Sequence, residues 1–198
     1  VTLRKWFYLF WTTLLVGAVS ALIIGLILQA NDQQFYFNDG MAIGFNAATM
    51  LLGGAMISVL SQMGFFAYLI IRFFAMGLVR SKWIWDIVQI LLVLIALFDL
   101  IYLRAADEVG HWSAYAILPV AMLCVGVIVA LVKVKLTNRN GFIPTLFFMT
   151  AVSAIEAVPA LRINSSASTM FMMAPLLASN AWQILILSKV LDSKKEPL

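Results

Sequence analysis

Asp99 and Glu156 are carboxylates in a chain that places almost no charge inside its apolar runs. Tyr102 and Arg104 follow the first, and Pro159 and Arg162 follow the second. An ionisable group at membrane depth is costly and usually turns to the bundle interior, where it finds a partner. The expectation is a cross-helix network of Asp99 and Glu156 with Arg104 and Arg162. Structural pairing, binding of a proton or ligand, and snorkelling to the interface are its possible uses. Two carboxylates are also the equipment of acid–base catalysis. No nucleophile, metal ligand or phosphate cradle accompanies them, so no catalytic residue is assigned and the chain is read as non-enzymatic. Glycine-rich phosphate loops, His-Glu-x-x-His, Gly-x-Ser-x-Gly and kinase signatures are all missing from the sequence. One histidine, His111, and one cysteine, Cys124, are too few for a zinc site or a disulfide framework. Neither a cofactor nor a metal is expected. His111 is read as an exposed loop side chain whose titration leaves a pH-sensing role open. Cys124 is read as a small buried hydrophobe.

A second spacing concerns contact rather than chemistry. Gly17, Ala21 and Gly25 recur every four residues, as do Gly40 and Gly44, with Ala48 beyond. Small residues so spaced let two helices approach closely. Packing within the chain and docking of a partner helix both use such a face. Asn46, Gln62, Asn180 and Gln183 lie in or beside apolar runs and are expected to form interhelical hydrogen bonds.

These residues must be positioned by long helices. The chain has 198 residues, 64% hydrophobic and 11% charged, against about 25% charged in an ordinary soluble domain. An apolar segment in lipid has to satisfy its own backbone, which selects helices. The reading is an all-α polytopic bundle over residues 1–198, with spans near 6–28, 42–63, 84–103, 113–132, 142–160 and 170–188. The first apolar run is long enough to span and is read as an uncleaved helix rather than a secretory signal. Val1 is read as a non-ATG start. With the N-terminus inside, Arg4, Lys5, Arg72, Arg80, Lys82, Lys133, Lys135, Arg139, Lys189, Lys194 and Lys195 fall on the inner side, and Arg104 and Arg162 on the outer side. That asymmetry favours six spans with both termini cytoplasmic. A seven-span alternative needs a hairpin near Ser61–Gln62 and strands Arg72 in mid-span. In the six-span reading, residues 64–79 either run along the inner interface or extend the second helix. The basic segment Arg72, Arg80 and Lys82 then meets lipid head groups. The net charge of +4 is thus a topology signal, and no nucleic-acid partner is expected.

Several stretches carry a family likeness: Ser61–Arg72 (SQMGFFAYLIIR), Phe98–Arg104 (FDLIYLR), Lys135–Met149 (KLTNRNGFIPTLFFM), Ile155–Asn164 (IEAVPALRIN) and Asn180–Leu185 (NAWQIL). Through them the whole chain resembles the KinB-signalling-pathway activation proteins, KbaA, of endospore-forming bacteria. None of these strings is a catalytic signature. The resemblance implies a multi-pass regulator in the bacterial cytoplasmic membrane. Such a protein is needed for activity of a membrane-bound sensor histidine kinase feeding the sporulation phosphorelay. The expected partners are the lipid bilayer and that kinase, with Gly17, Ala21, Gly25, Gly40 and Gly44 as the candidate docking face. Self-association is left open. The competing expectation is a small transporter or ligand receptor using Asp99 and Glu156, with an intramembrane enzyme acting on lipid as a weaker third.

Overall fold

In a computed structural model, residues 3–30, 40–79, 81–105, 116–161 and 165–192 are described. Arg80, His111 and Arg162 lie outside the described residues, as do residues 31–39 and 106–115. Within them the chain is all helix. The order is α1 (Leu3–Ala30), α2 (Gly40–Leu78), α3 (Lys82–Ala105), α4 (Ile117–Leu136), a 3-10 turn (Arg139–Gly141), α5 (Phe142–Phe147), a π-helical turn (Phe148–Val152), α6 (Ser153–Leu161) and α7 (Ser166–Asp192). Among the described residues, six helical segments are long and apolar enough to cross a membrane.

The polarity of the bundle is inverted relative to a water-soluble one. Along α1, Phe7, Trp11, Leu15, Val19 and Ile23 point outward at four-residue spacing, each about half exposed or more. The opposite face, Leu9, Thr13, Gly17, Ala21 and Gly25, is buried. Large apolar side chains on the outside and small or polar ones inside suit an apolar solvent, where burial of hydrocarbon between helices brings no gain and close packing does. A soluble monomer rarely exposes so much contiguous apolar surface.

The small face of α1 has a definite use. α1 packs along α2 and α7. A Cβ on Gly54 of α2 would fall on the backbone of α1 at Gly17 and Ala18 and on the Ala21 methyl. One on Gly17 would meet the hydroxyls of Ser58 and Ser179. Gly25 lies against Met50. Gly17, Ala21 and Gly25 therefore pack within the chain, and their candidacy as an outward docking face is corrected. Gly44 differs, since a Cβ there would meet nothing within 4 Å.

α2 corrects two further expectations. It is one helix of 39 residues without proline, so the chain makes no hairpin at Ser61–Gln62 and the seven-span alternative falls. Residues 64–78 also do not peel away along an interface. Phe65 and Tyr68 are buried against Leu9, Phe148 and Ile184, while Phe73 and Phe74 are exposed. The extended-helix reading is the one adopted. At 1.5 Å per residue, α2 is roughly 58 Å long against a hydrocarbon core of about 30 Å.

α4 runs four residues past its expected end. Charge at Lys133 and Lys135 suggested a stop, but Lys133 is buried and its Nζ donates to the Ile184 carbonyl at 2.6 Å. Cys124, expected to be buried, is exposed on α4. The fifth span is broken up. Pro144 sits in the first turn of α5, where its missing N–H has no helical partner to lose. The π turn then opens the helix between α5 and α6. α3 and α4 pack against this broken span, and α6 joins it to α7.

The packing predicts a contrast. Gly17→Leu overpacks the α1–α2–α7 junction and is expected to cost about 1–3 kcal/mol. Gly44→Leu, with open space around it, is expected to stay within about 0.5 kcal/mol of the parent. Thermal unfolding in detergent micelles compares the two, and equal midpoints would show that α1 does not pack through Gly17.

Candidate functional site

Asn180 stands on α7, one turn from Leu176 and one turn from Ile184. Those two residues belong to different apolar clusters. The level between the clusters is polar. Ser61 of α2, Ser153 and Glu156 of α6, and Asn180 and Gln183 of α7 are all buried there.

The bonds converge on Asn180. Its Oδ1 accepts from Ser61 Oγ at 2.6 Å. Its Nδ2 donates to Ser153 Oγ at 2.8 Å and to Glu156 Oε2 at 2.9 Å. Gln183 Nε2 donates to Ser61 Oγ at 2.7 Å. One amide thereby ties α2, α6 and α7 together. Ser153 is the first residue after the π turn, and its hydroxyl lies 3.4 Å from the Phe148 carbonyl, five residues back. A π turn widens the helix and leaves carbonyls poorly served, and such turns are frequent at functional positions.

Glu156 is the buried carboxyl of the site. Its Oε1 has no hydrogen-bond partner and neither has Gln183 Oε1. Gly64 of α2 faces that carboxylate, and a Cβ there would collide with it. The string Ser61-Gln-Met-Gly64 thus supplies a hydroxyl to the cluster and, three residues on, the gap that admits Glu156. A second polar level lies nearer α1. Ser58 Oγ donates to the Thr13 carbonyl at 2.7 Å and lies 2.8 Å from Ser179 Oγ. Gln62 Nε2 reaches the Phe10 carbonyl at 3.4 Å.

Of the expected four-residue network, Arg162 lies outside the described residues, and the two acids have different surroundings. Glu156 is inside with Asn180 as its donor. Asp99 is exposed on α3 and lines a cavity of about 220 Å³ with Leu92, Ile95, Ala151 and Ile155. Arg104 is the penultimate residue of α3. Gly40 opens α2, Arg72 is half-buried near its end, and Lys82 is exposed at the start of α3. The interhelical hydrogen bonds expected of Gln62, Asn180 and Gln183 are present. Ser58, Ser61, Ser153 and Ser179 were missed, although on α2 the run Ser58, Ser61, Gln62 and Phe65 marks one helical face at i, i+3, i+4 and i+7 spacing. Among the described residues, no group of three His, Cys, Asp or Glu side chains could hold a metal ion.

Asn180→Leu removes three bonds at once. At about 0.6 kcal/mol for an average interhelical bond, and up to about 1.7, the expected loss is about 2 kcal/mol, and more if Glu156 is left without its donor. Ser61→Ala removes one donor and should cost less. Unfolding of both variants in mixed micelles tests this order; an Asn180→Leu protein as stable as the parent would show that the cluster does not hold the bundle.

The family described as KbaA, KinB-signalling pathway activation in sporulation, matches residues 17–190. A curated relative, the KinB-signaling pathway activation protein of Bacillus subtilis (strain 168), is 37% identical over 190 residues, covering 91% of this chain and 93% of that one. No solved structure matches. The match spans the α2 residues of the polar cluster, the broken fifth span and Asn180, and on its extent and identity this chain belongs to the KbaA family.

Proposed function

We propose that the protein is a non-catalytic regulator in the bacterial cytoplasmic membrane that activates a membrane-bound sensor histidine kinase of the sporulation phosphorelay through contacts between transmembrane helices. The observation that carries this reading is the family match over residues 17–190 together with the name of the Bacillus subtilis relative. The architecture supports it. The described chain is six long apolar helices with their large side chains turned outward, so its available surface for a partner is a helical one. The distribution of lysine and arginine supports a cytoplasmic position for both termini.

With Gly17, Ala21 and Gly25 engaged inside, the docking face moves to the start of α2. Gly44 and Ala48 are exposed one turn apart on the same side. Small residues there let a partner helix approach the α2 backbone closely. Docking activates the kinase only if it binds the active packing more tightly than the inactive one. A tenfold shift needs about 1.4 kcal/mol of difference, which a few such contacts can supply.

A second reading, a ligand receptor or small transporter using Asp99 and Glu156, is favoured by one observation: the unpartnered oxygens of Glu156 and Gln183 in the bundle centre. Under that reading Glu156→Gln abolishes a solute response and leaves kinase association intact.

The test is an in-membrane two-hybrid or proximity-labelling assay with the sensor kinase of the same host. Wild type should associate, and Gly44→Leu should lose at least about tenfold of the signal while accumulating normally in the membrane. Undiminished association of Gly44→Leu removes this face from the model. Lack of any association, in cells where deletion still blocks sporulation, removes direct contact altogether.

A further inference from the structure

Where α4 ends, the bundle holds a recess of about 540 Å³ lined by Arg72, Lys133, Thr137, Asn138, Asn140 and Ser188. Three separate segments build it: the end of α2, the turn from α4 into α5, and the last turns of α7. Among the described residues that line it, none is acidic. Two positive charges share it. One is fixed in place, because Lys133 is buried and its ammonium is anchored on the Ile184 carbonyl at 2.6 Å. The other, the Arg72 guanidinium, is half-buried beside Tyr68. Thr137 is held at the mouth by its hydroxyl bond to the Lys133 carbonyl at 2.7 Å.

A groove of the opposite character adjoins the recess. Leu69, Phe73, Phe74, Met76 and Leu78 line it. Arg72 and Leu187 belong to both. A polar, positively charged recess thus opens directly onto an apolar groove along α2, at the end of the bundle that also carries Arg4, Lys5 and Lys189 around a further recess.

We propose that this composite site binds an anionic phospholipid, with the phosphate head group in the recess against Arg72 and Lys133 and an acyl chain in the groove along Phe73 and Phe74. A free phosphate would use the recess alone and leave the groove without purpose. A zwitterionic lipid carries an ammonium that the two cations of the recess repel. Only a ligand joining a net negative head group to a hydrocarbon chain matches both halves. Basic pockets between membrane helices commonly take such head groups.

The experiment measures the thermal midpoint of the purified full chain in a neutral detergent, titrated with short-chain phosphatidylglycerol, short-chain phosphatidylcholine or inorganic phosphate. Phosphatidylglycerol should raise the midpoint saturably and the other two should not. Arg72→Gln should raise the lipid concentration for half the shift about fivefold, equivalent to the ~1 kcal/mol that one basic residue contributes at an anionic surface. Asn140→Asp, an exposed position, places a carboxylate at the recess and should weaken the response at least as much, which keeps the test intact if the arginine variant fails to fold. Asp99→Asn, exposed and lining a separate cavity, should respond as wild type does. Equal shifts with phosphatidylcholine, a full shift with inorganic phosphate, or wild-type titrations from the folded Arg72→Gln and Asn140→Asp proteins would each overturn the proposal.

Discussion

Between helices in an apolar solvent, hydrogen bonds and close backbone contact do the work that burial of hydrocarbon does in water. Asn180 is where these bonds meet. Its amide uses both hydrogens and its oxygen on three partners from two other helices. The polar level it organises has to lie between the two apolar clusters, because an amide or carboxyl facing hydrocarbon would lose its partners outright. The remaining geometry follows from that level. The π turn brings Ser153 to it, and Gly64 leaves space for Glu156.

Close approach is the second condition, and it is met by a different set of residues. Gly17 and Gly54 let α1 and α2 touch through their backbones; Ser58 then bonds the Thr13 carbonyl across the short gap and meets Ser179 of α7. Small residues and hydroxyls are therefore two parts of one device. Serine is small enough to permit the approach and polar enough to bond across it. The apolar clusters fill what remains, with Phe65 edge-on and Tyr68 tilted against Phe148 on one side of the polar level.

These constraints bear on regulation. A bundle tied at its centre by directional bonds resists bending there, so a partner acts most readily on its periphery. The open flank of α2 at Gly44 and the basic recess near Arg72 lie toward opposite ends of one continuous helix. Through α2, a signal protein at one end and a lipid at the other would share a single mechanical element.

Composition and run length were enough to determine an all-helical chain with six apolar segments, because lipid leaves a spanning backbone few alternatives. The same sequence carried the family likeness, since the strings around Ser61, Glu156 and Asn180 are long enough to be distinctive. The partners of each polar residue were decided only in three dimensions. Asp99 and Glu156 look equivalent along the chain, yet one lies on an outward face and the other within the bundle, because helix rotation depends on packing. Lys133 looks like the end of a span until Ile184 supplies a carbonyl for it. The small-residue stripes at Gly17 and Gly44 also read alike, and only the placement of α2 and α7 separates the filled one from the open one. Spacing along a helix defines a face, and the neighbour that meets the face is set by residues from 24 to more than a hundred positions away.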